Sequence, residues 1–120
     1  MSCKAAVRQT GDIAIVDLSG RITLGEGSGL VRDTIKDILK QSGRSILLNL
    51  QNVTYIDSAG LGELVGAYVS VTNAGGRIKL LNAQGKVTEV LAVTKLYTVF
   101  ETFSDEAAAL RSFQAGAAGA

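Results

Sequence analysis

Residues Tyr55–Gly62 read "YIDSAGLG" and decide the fold, because an apolar, strand-like segment ends there in an acid, a hydroxyl and several small residues. The preceding run, Ser45–Leu50 ("SILLNL"), is nearly continuously apolar, as expected for a central strand covered on both faces. The small residues after Ser58 suit the start of a helix. Three interpretations compete: a helix start that needs a cap, a loop that cradles a phosphate, and a serine displayed to another protein.

Patterns typical of strands and helices alternate on either side of this stretch. The turn Thr10–Asp12 predicts a hairpin, and apolar residues at helical spacing predict a helix over Leu30–Lys40. The glycine-rich Gly20–Gly29 is interpreted as a mobile loop between strand and helix. Further predictions are helices over Ala59–Asn73 and Lys86–Leu96, strands over Arg77–Asn82 and within Thr98–Phe103, and a final helix capped by Ser104.

The alternation predicts an α/β fold in which a mixed β-sheet is flanked by α-helices. The hairpin makes the sheet mixed rather than purely parallel. We expect one domain over residues 1–113 and a disordered Ala/Gly tail over residues 114–120.

The composition excludes several classes of function. Lys and Arg number 12 against 11 Asp and Glu, and aromatic residues make up 5%, which argues against nucleic-acid binding. Histidine is absent, which removes the commonest general base and metal ligand. No apolar run approaches the roughly 18 residues of a membrane span, and the lone Cys3 suits a reducing compartment. We therefore expect a cytoplasmic protein with no metal and no membrane segment.

Motifs typical of enzymes and nucleotide-binding proteins are each incomplete. The glycines of Gly60–Gly66 depart from the dinucleotide fingerprint, which would need a glycine at Val65. A Walker loop would need Ser or Thr at Val87, and a nucleophile elbow around Ser58 would need glycine at Ile56. We therefore predict no catalytic residue and no cofactor, and expect that the protein is not an enzyme.

The predicted second helix has two dissimilar faces. One side is predicted to face the core and carries Leu61, Leu64, Val65, Tyr68 and Thr72. The other side is nearly smooth and carries Ala59, Gly62, Gly66, Ser70 and Asn73. Glycine inside a helix costs about 0.8–1 kcal/mol relative to alanine. Either a neighbouring helix packs very close to these glycines, or the smooth face is left open for a partner.

Asp57 and Ser58 are both residue types that cap helices, although one cap needs only one of them. The other residue would be left on an accessible ledge at the helix start. No Lys or Arg lies between Arg44 and Arg77, so a phosphate on Ser58 would find no cation in the nearby sequence.

The run Asn52–Asn82 closely resembles the core of STAS domains of the bacterial anti-sigma factor antagonist type. In that family an apolar strand leads into Asp-Ser-(Ser/Ala/Thr)-Gly at the start of a helix, and here the motif is Asp57-Ser58-Ala59-Gly60. The segments Val16–Leu30 and Thr98–Leu110 also resemble parts of the family, so the resemblance covers about Ala5–Phe113.

The resemblance implies a partner-switching function in the regulation of transcription. The unmodified protein would bind an anti-sigma factor that is also a serine kinase, and so free the sigma factor. Phosphorylation of Ser58 would inactivate it, and a serine phosphatase would reset it. The implied partner-binding residues are Asp57, Ser58, Ala59, Gly60, Leu61, Gly62 and Gly66. The alternative is a STAS scaffold or transporter-associated module that phosphorylation does not regulate, in which Ser58 is only a cap.

Overall fold

The computed structural model describes residues 3–118, with side chains through Gln114. Strands and helices alternate along these residues, with one 3-10 turn (Leu96–Thr98) before the last strand. The elements are β1 (Cys3–Thr10), β2 (Ile13–Ile22), α1 (Glu26–Lys40), β3 (Ser45–Ile56), α2 (Ser58–Asn73), β4 (Arg77–Leu81), α3 (Lys86–Thr94), β5 (Thr102–Phe103) and α4 (Glu106–Ala118).

The strands form one mixed sheet in the order β1-β2-β3-β4-β5. Strands β1 and β2 are antiparallel and meet at a tight turn in which Gly11 has a φ of 58°. Strands β2 to β5 are parallel. Since helices α1, α2 and α3 each follow one of these parallel strands, all three begin at the carboxyl edge of the sheet. The predicted α/β fold with a mixed, helix-flanked sheet is confirmed.

Helices cover both faces of the sheet. The larger core lies between one face and helices α1 to α3, and Ile46 and Leu48 of β3 point into it. On the opposite face Leu47 of β3 packs in a smaller core with Phe113 of α4. Alternate side chains of β3 therefore enter two different cores, which explains why Ser45–Leu50 is apolar almost throughout.

Helix α1 begins at Glu26 rather than Leu30, so the loop predicted over Gly20–Gly29 is wrong. Most of that segment belongs to β2 or to α1. The physical reason is Gly27. This residue is buried, and a Cβ at its position would lie 2.5 Å from the carbonyl oxygen of Arg21. The absence of a side chain lets the first turn of α1 pack directly against the end of β2.

Helix α3 ends at Thr94 instead of continuing to the predicted Leu96. Lys95, the next residue, has a left-handed φ of 62°, a conformation that commonly terminates helices. The strand predicted within Thr98–Phe103 is present but is limited to Thr102–Phe103.

The start and the end of helix α4 both differ from the prediction. Asp105, not Ser104, caps the helix, because its Oδ2 accepts a hydrogen bond of 2.9 Å from the N–H of Ala108. The helix extends to Ala118 and so includes most of the segment predicted to be disordered, as the high helix propensity of alanine favours. Residues 119 and 120 lie outside the described residues. The domain boundary at Phe113 stays a prediction.

Helix α2 is the longest helix of the described chain, with 16 residues. No helix within residues 3–118 combines the length and the apolar character that crossing a bilayer requires.

The cap of α4 provides a test of the fold. We expect Asp105→Ala to lower the free energy of unfolding by about 1 kcal/mol, since it leaves a backbone N–H of the first turn without its partner. Ser104→Ala is the matched control and should leave that free energy unchanged. Urea unfolding of both variants measures the difference, and a larger loss in Ser104→Ala would show that the cap has been misassigned.

Candidate functional site

Ser58 is the first residue of helix α2 and lies at the carboxyl edge of the sheet. Strand β3 ends at Ile56, and Asp57 forms the extended link to the helix, with φ −104° and ψ −174°. The Ser58 side chain is exposed. The structure therefore presents this hydroxyl to solvent at the point where the apolar strand gives way to small residues.

Asp57, not Ser58, caps helix α2. Its Oδ1 accepts the N–H of Gly60 at 2.9 Å, and its Oδ2 accepts the N–H of Leu24 at 3.0 Å. The N–H of Asp57 also donates to the carbonyl oxygen of Ile22 at 3.3 Å. Through its backbone N–H and its carboxylate, Asp57 thus joins the end of β2, the connection to α1 and the first turn of α2.

These hydrogen bonds favour the ionised form of the Asp57 carboxyl group. The backbone N–H of Gly60, and then that of Leu24, lower the pKa of the carboxyl below its ordinary value because they stabilise the charged form. A negative charge at the start of a helix is also favoured by the helix dipole. The cap therefore persists at neutral pH, and the Ser58 hydroxyl is not needed for it.

Gly60 is buried and allows the helix to approach strand β2 closely. A Cβ at this position would overlap the carbonyl oxygen of Ile22 and lie 2.9 Å from Cγ2 of the same residue. Gly60 was predicted as part of the partner surface, and the structure instead places it inside the fold. Its role there is to set how close the start of α2 lies to the end of β2.

Gly62 and Gly66 are exposed, and a Cβ at either position would meet no atom within 4 Å. Close packing of a neighbouring helix therefore does not account for these glycines. The smooth face of α2 is therefore open at both glycines.

The buried face of α2 is rotated by roughly a quarter turn from the predicted one. The helix buries Gly60, Leu64, Ala67 and Val71, with Leu61 and Tyr68 partly buried at its side. Val65 is 37% exposed and Thr72 is exposed, so their assignment to the core was wrong. The reason is that two small residues, Gly60 and Ala67, lie on the buried face, and a helical wheel weighted by bulk does not assign them to the core.

A groove lies between the start of α2 and helix α3, beside Ser58. It has a volume of about 580 Å³ and is lined by Tyr55, Ile56, Asp57, Ser58, Leu61, Lys86, Glu89, Val90, Val93 and Thr94. We call it the α2–α3 groove. Two apolar side chains close to this site are highly exposed: Val93, which lines the groove, is 83% exposed, and Leu24, whose N–H bonds to Asp57, is 79% exposed.

Lys86 is the residue of this site that sequence reasoning missed. The sequence around Ser58 contains no cation, yet the fold places Lys86 in the lining of the same groove, where its Nζ lies 3.8 Å from Oε1 of Glu89. A signal for it existed. Strands β3 and β4 are adjacent and parallel, so the helices that follow them, which start at Ser58 and Lys86, begin at the same edge of the sheet.

The roles of Gly60 and Gly62 can be separated by one substitution at each position. Gly62→Ala should raise the free energy of unfolding by about 0.5–1 kcal/mol, because the space is open and alanine favours the helix. Gly60→Ala should lower it by about 2 kcal/mol or more, since the methyl group displaces α2 from β2. Urea unfolding measures both. Equal effects of the two substitutions would contradict the close approach at Gly60.

Comparison with known proteins gives a consistent assignment. Residues 4–109 match the STAS domain family. An anti-sigma F factor antagonist of Paenibacillus polymyxa is 27% identical over 103 residues, which cover 85% of this chain and 87% of the relative. An anti-sigma-B factor antagonist of Bacillus subtilis is 27% identical over 101 residues, covering 84% and 91%.

Solved structures show the same fold. An anti-sigma factor antagonist from Mycobacterium paratuberculosis superposes with a TM-score of 0.81 at 18% identity, covering 94% of this chain and 95% of that one. A sulfate transporter family protein from Wolinella succinogenes gives a TM-score of 0.75 at 16% identity, with 88% and 87% covered. The fold is therefore common to antagonists and to a transporter family protein. On the match of residues 4–109, the chain belongs to the STAS domain family.

Proposed function

We propose that this protein is an anti-sigma factor antagonist that binds an anti-sigma factor with serine kinase activity and is switched off by phosphorylation of Ser58. The observation that carries the proposal is the division of roles at the start of α2. Asp57 accepts the capping hydrogen bond from Gly60, whereas Ser58 is exposed. The two curated relatives, named as antagonists of an anti-sigma F and an anti-sigma-B factor, support this role.

The proposed modification uses the exposed hydroxyl as a nucleophile toward ATP held by the kinase. The Ser58 oxygen bonds to the γ-phosphorus, the bond between that phosphorus and the bridging oxygen breaks, and ADP leaves while the hydroxyl proton passes to solvent. A serine phosphatase reverses the change by transferring the phosphoryl group to water, which releases inorganic phosphate. In both steps this protein is the substrate and not the catalyst.

The proposed partner surface is the exposed side of the first two turns of α2. Ser58 lies at its start beside Asp57, and the surface continues through the half-buried Ala59 and Leu61 and the exposed Gly62 and Gly66. Gly60 contributes from inside by fixing the helix position. Because Gly62 and Gly66 have no side chain and open space above them, a partner can approach the helix backbone closely along this face.

Phosphorylation would change this surface in two ways. It adds bulk within the contact, and it adds about −1.5 to −2 charges next to the ionised Asp57. A partner surface that fits the unmodified serine would bind the phosphorylated protein less tightly, because both the shape and the charge of the contact have changed. The proposal implies a cytoplasmic location, since sigma factors act on RNA polymerase there.

The Ser58 side chain provides the main functional test. Ser58→Ala should bind the kinase at least as tightly as wild type and resist phosphorylation. Ser58→Asp and the phosphorylated protein should bind at least tenfold more weakly, a loss of about 1.4 kcal/mol. The measurements are mass-spectrometric mapping of the phosphosite after incubation with ATP and candidate serine kinases, and calorimetric titration of all four proteins.

Ser104→Ala serves as the control for the loss of an exposed serine and should be phosphorylated normally. A phosphosite elsewhere in the chain, or equal affinities of the four proteins, would contradict the switch. That outcome would favour a STAS scaffold or a transporter-associated module that phosphorylation does not regulate.

The open face of α2 is tested at Gly66. Gly66→Leu should leave the domain folded, because the site has room for the side chain, while it weakens kinase binding at least tenfold. Gly66→Ala is the smaller control and should retain most of the affinity. Circular dichroism and calorimetry measure fold and binding, and full affinity of the folded Gly66→Leu variant would remove Gly66 from the partner surface.

A further inference from the structure

The α2–α3 groove has both a lysine and the candidate phosphoacceptor in its lining. Lys86 and Ser58 both line it, each as the first residue of its helix. The loop that leads into α3 is fastened to β3, because the side-chain Nε2 of Gln84 donates to the carbonyl oxygen of Gln51 at 2.8 Å. The position of Lys86 relative to the end of β3 is therefore set by the fold, although the lysine side chain itself can move.

The ionisable groups that line the groove are Tyr55, Asp57, Lys86 and Glu89. Both carboxylate oxygens of Asp57 already accept backbone N–H groups. On the neighbouring strand Arg21 stacks over the ring of Tyr55, with its guanidinium carbon 4.6 Å from the ring centroid. Lys86 is thus the cation among the described residues that line the groove.

The existing partner of Lys86 is weakly held. Its Nζ lies 3.8 Å from the Glu89 carboxylate, and the two side chains are 53% and 70% exposed. Exposed ion pairs of this kind contribute little to stability. A phosphoryl group carries up to twice the charge of a carboxylate and three acceptor oxygens, so it would compete with Glu89 for the ammonium group.

We infer that Lys86 is the cation that contacts the phosphoryl group of phosphorylated Ser58. The Lys86 ammonium group leaves Glu89, pairs with the phosphate and draws the phosphate into the α2–α3 groove. This inference rests on the proposed phosphorylation of Ser58. The phosphate then covers part of the apolar lining formed by Leu61, Val90 and Val93. Phosphorylation thereby alters the groove as well as the exposed face of α2, and Lys86 acts as a positioning residue for the modified state.

The test uses the full chain with phosphoserine installed at position 58 by genetic code expansion, so that no kinase is needed. The second pKa of the phosphate, ordinarily about 6, is read from a ³¹P NMR titration. A nearby cation favours the dianion and lowers this pKa. Lys86→Gln should therefore raise the phosphate pKa by about half a unit, the size expected for a charge interaction screened by solvent. Glu89→Gln should lower the phosphate pKa because the competing carboxylate is lost.

Three further variants complete the design. Lys86→Arg keeps the positive charge and should retain the wild-type pKa. Lys40→Gln removes the same charge at the last residue of α1, and Arg21→Gln removes the cation on Tyr55; neither should shift the phosphate pKa appreciably. The inference is overturned if Lys86→Gln shifts the pKa no more than Lys40→Gln, or if Arg21→Gln gives the larger shift.

Failure of this inference and failure of the proposed function give different results. Because the phosphoserine is introduced without a kinase, an absent Lys86 effect leaves the proposed switch at Ser58 intact. Conversely, a kinase phosphosite mapped to another residue refutes the proposed function whatever the ³¹P titration shows.

Discussion

The close approach of helix α2 to strand β2, at Gly60 against the carbonyl group of Ile22, is the constraint on which the site depends. Asp57 reinforces it by accepting hydrogen bonds from Gly60 and from Leu24. These contacts involve the Asp57 carboxylate and backbone groups, and they depend on the absence of a side chain at Gly60. The position of Ser58 is therefore fixed by its neighbours, and its own hydroxyl is free to change chemically without loss of the contacts that hold it in place.

The glycines of α2 serve opposite purposes. Gly60 is required by internal packing, whereas Gly62 and Gly66 face open space. Each glycine inside a helix costs about 0.8–1 kcal/mol relative to alanine, a noticeable share of a typical domain stability of 5–15 kcal/mol. At Gly62 and Gly66 no close packing within the described residues offsets this cost, which is the observation behind the proposed partner surface.

Much of the fold could be predicted from the sequence, because hydrophobic periodicity and turn residues specify local structure. The hairpin at Gly11, the two-sided strand Ser45–Leu50 and, to within one residue, the start of the second helix were predicted in this way. Features that depend on tertiary proximity were not. The buried face of α2 was misplaced because the small residues Gly60 and Ala67 face inward, and Lys86 enters the site through the pairing of β3 with β4. Asp57 and Ser58 were equal candidates for the cap until the geometry distinguished them.

The fold alone does not separate an antagonist from other STAS proteins, since a transporter family protein shares it. The central claim is instead that the fold does not use the Ser58 hydroxyl. The most direct test is the free energy of unfolding of Ser58→Ala, measured by urea denaturation against wild type. The account predicts a change within about 0.5 kcal/mol, as for an exposed side chain without a structural partner. A loss of about 1 kcal/mol or more, the size of a removed helix cap, would contradict it.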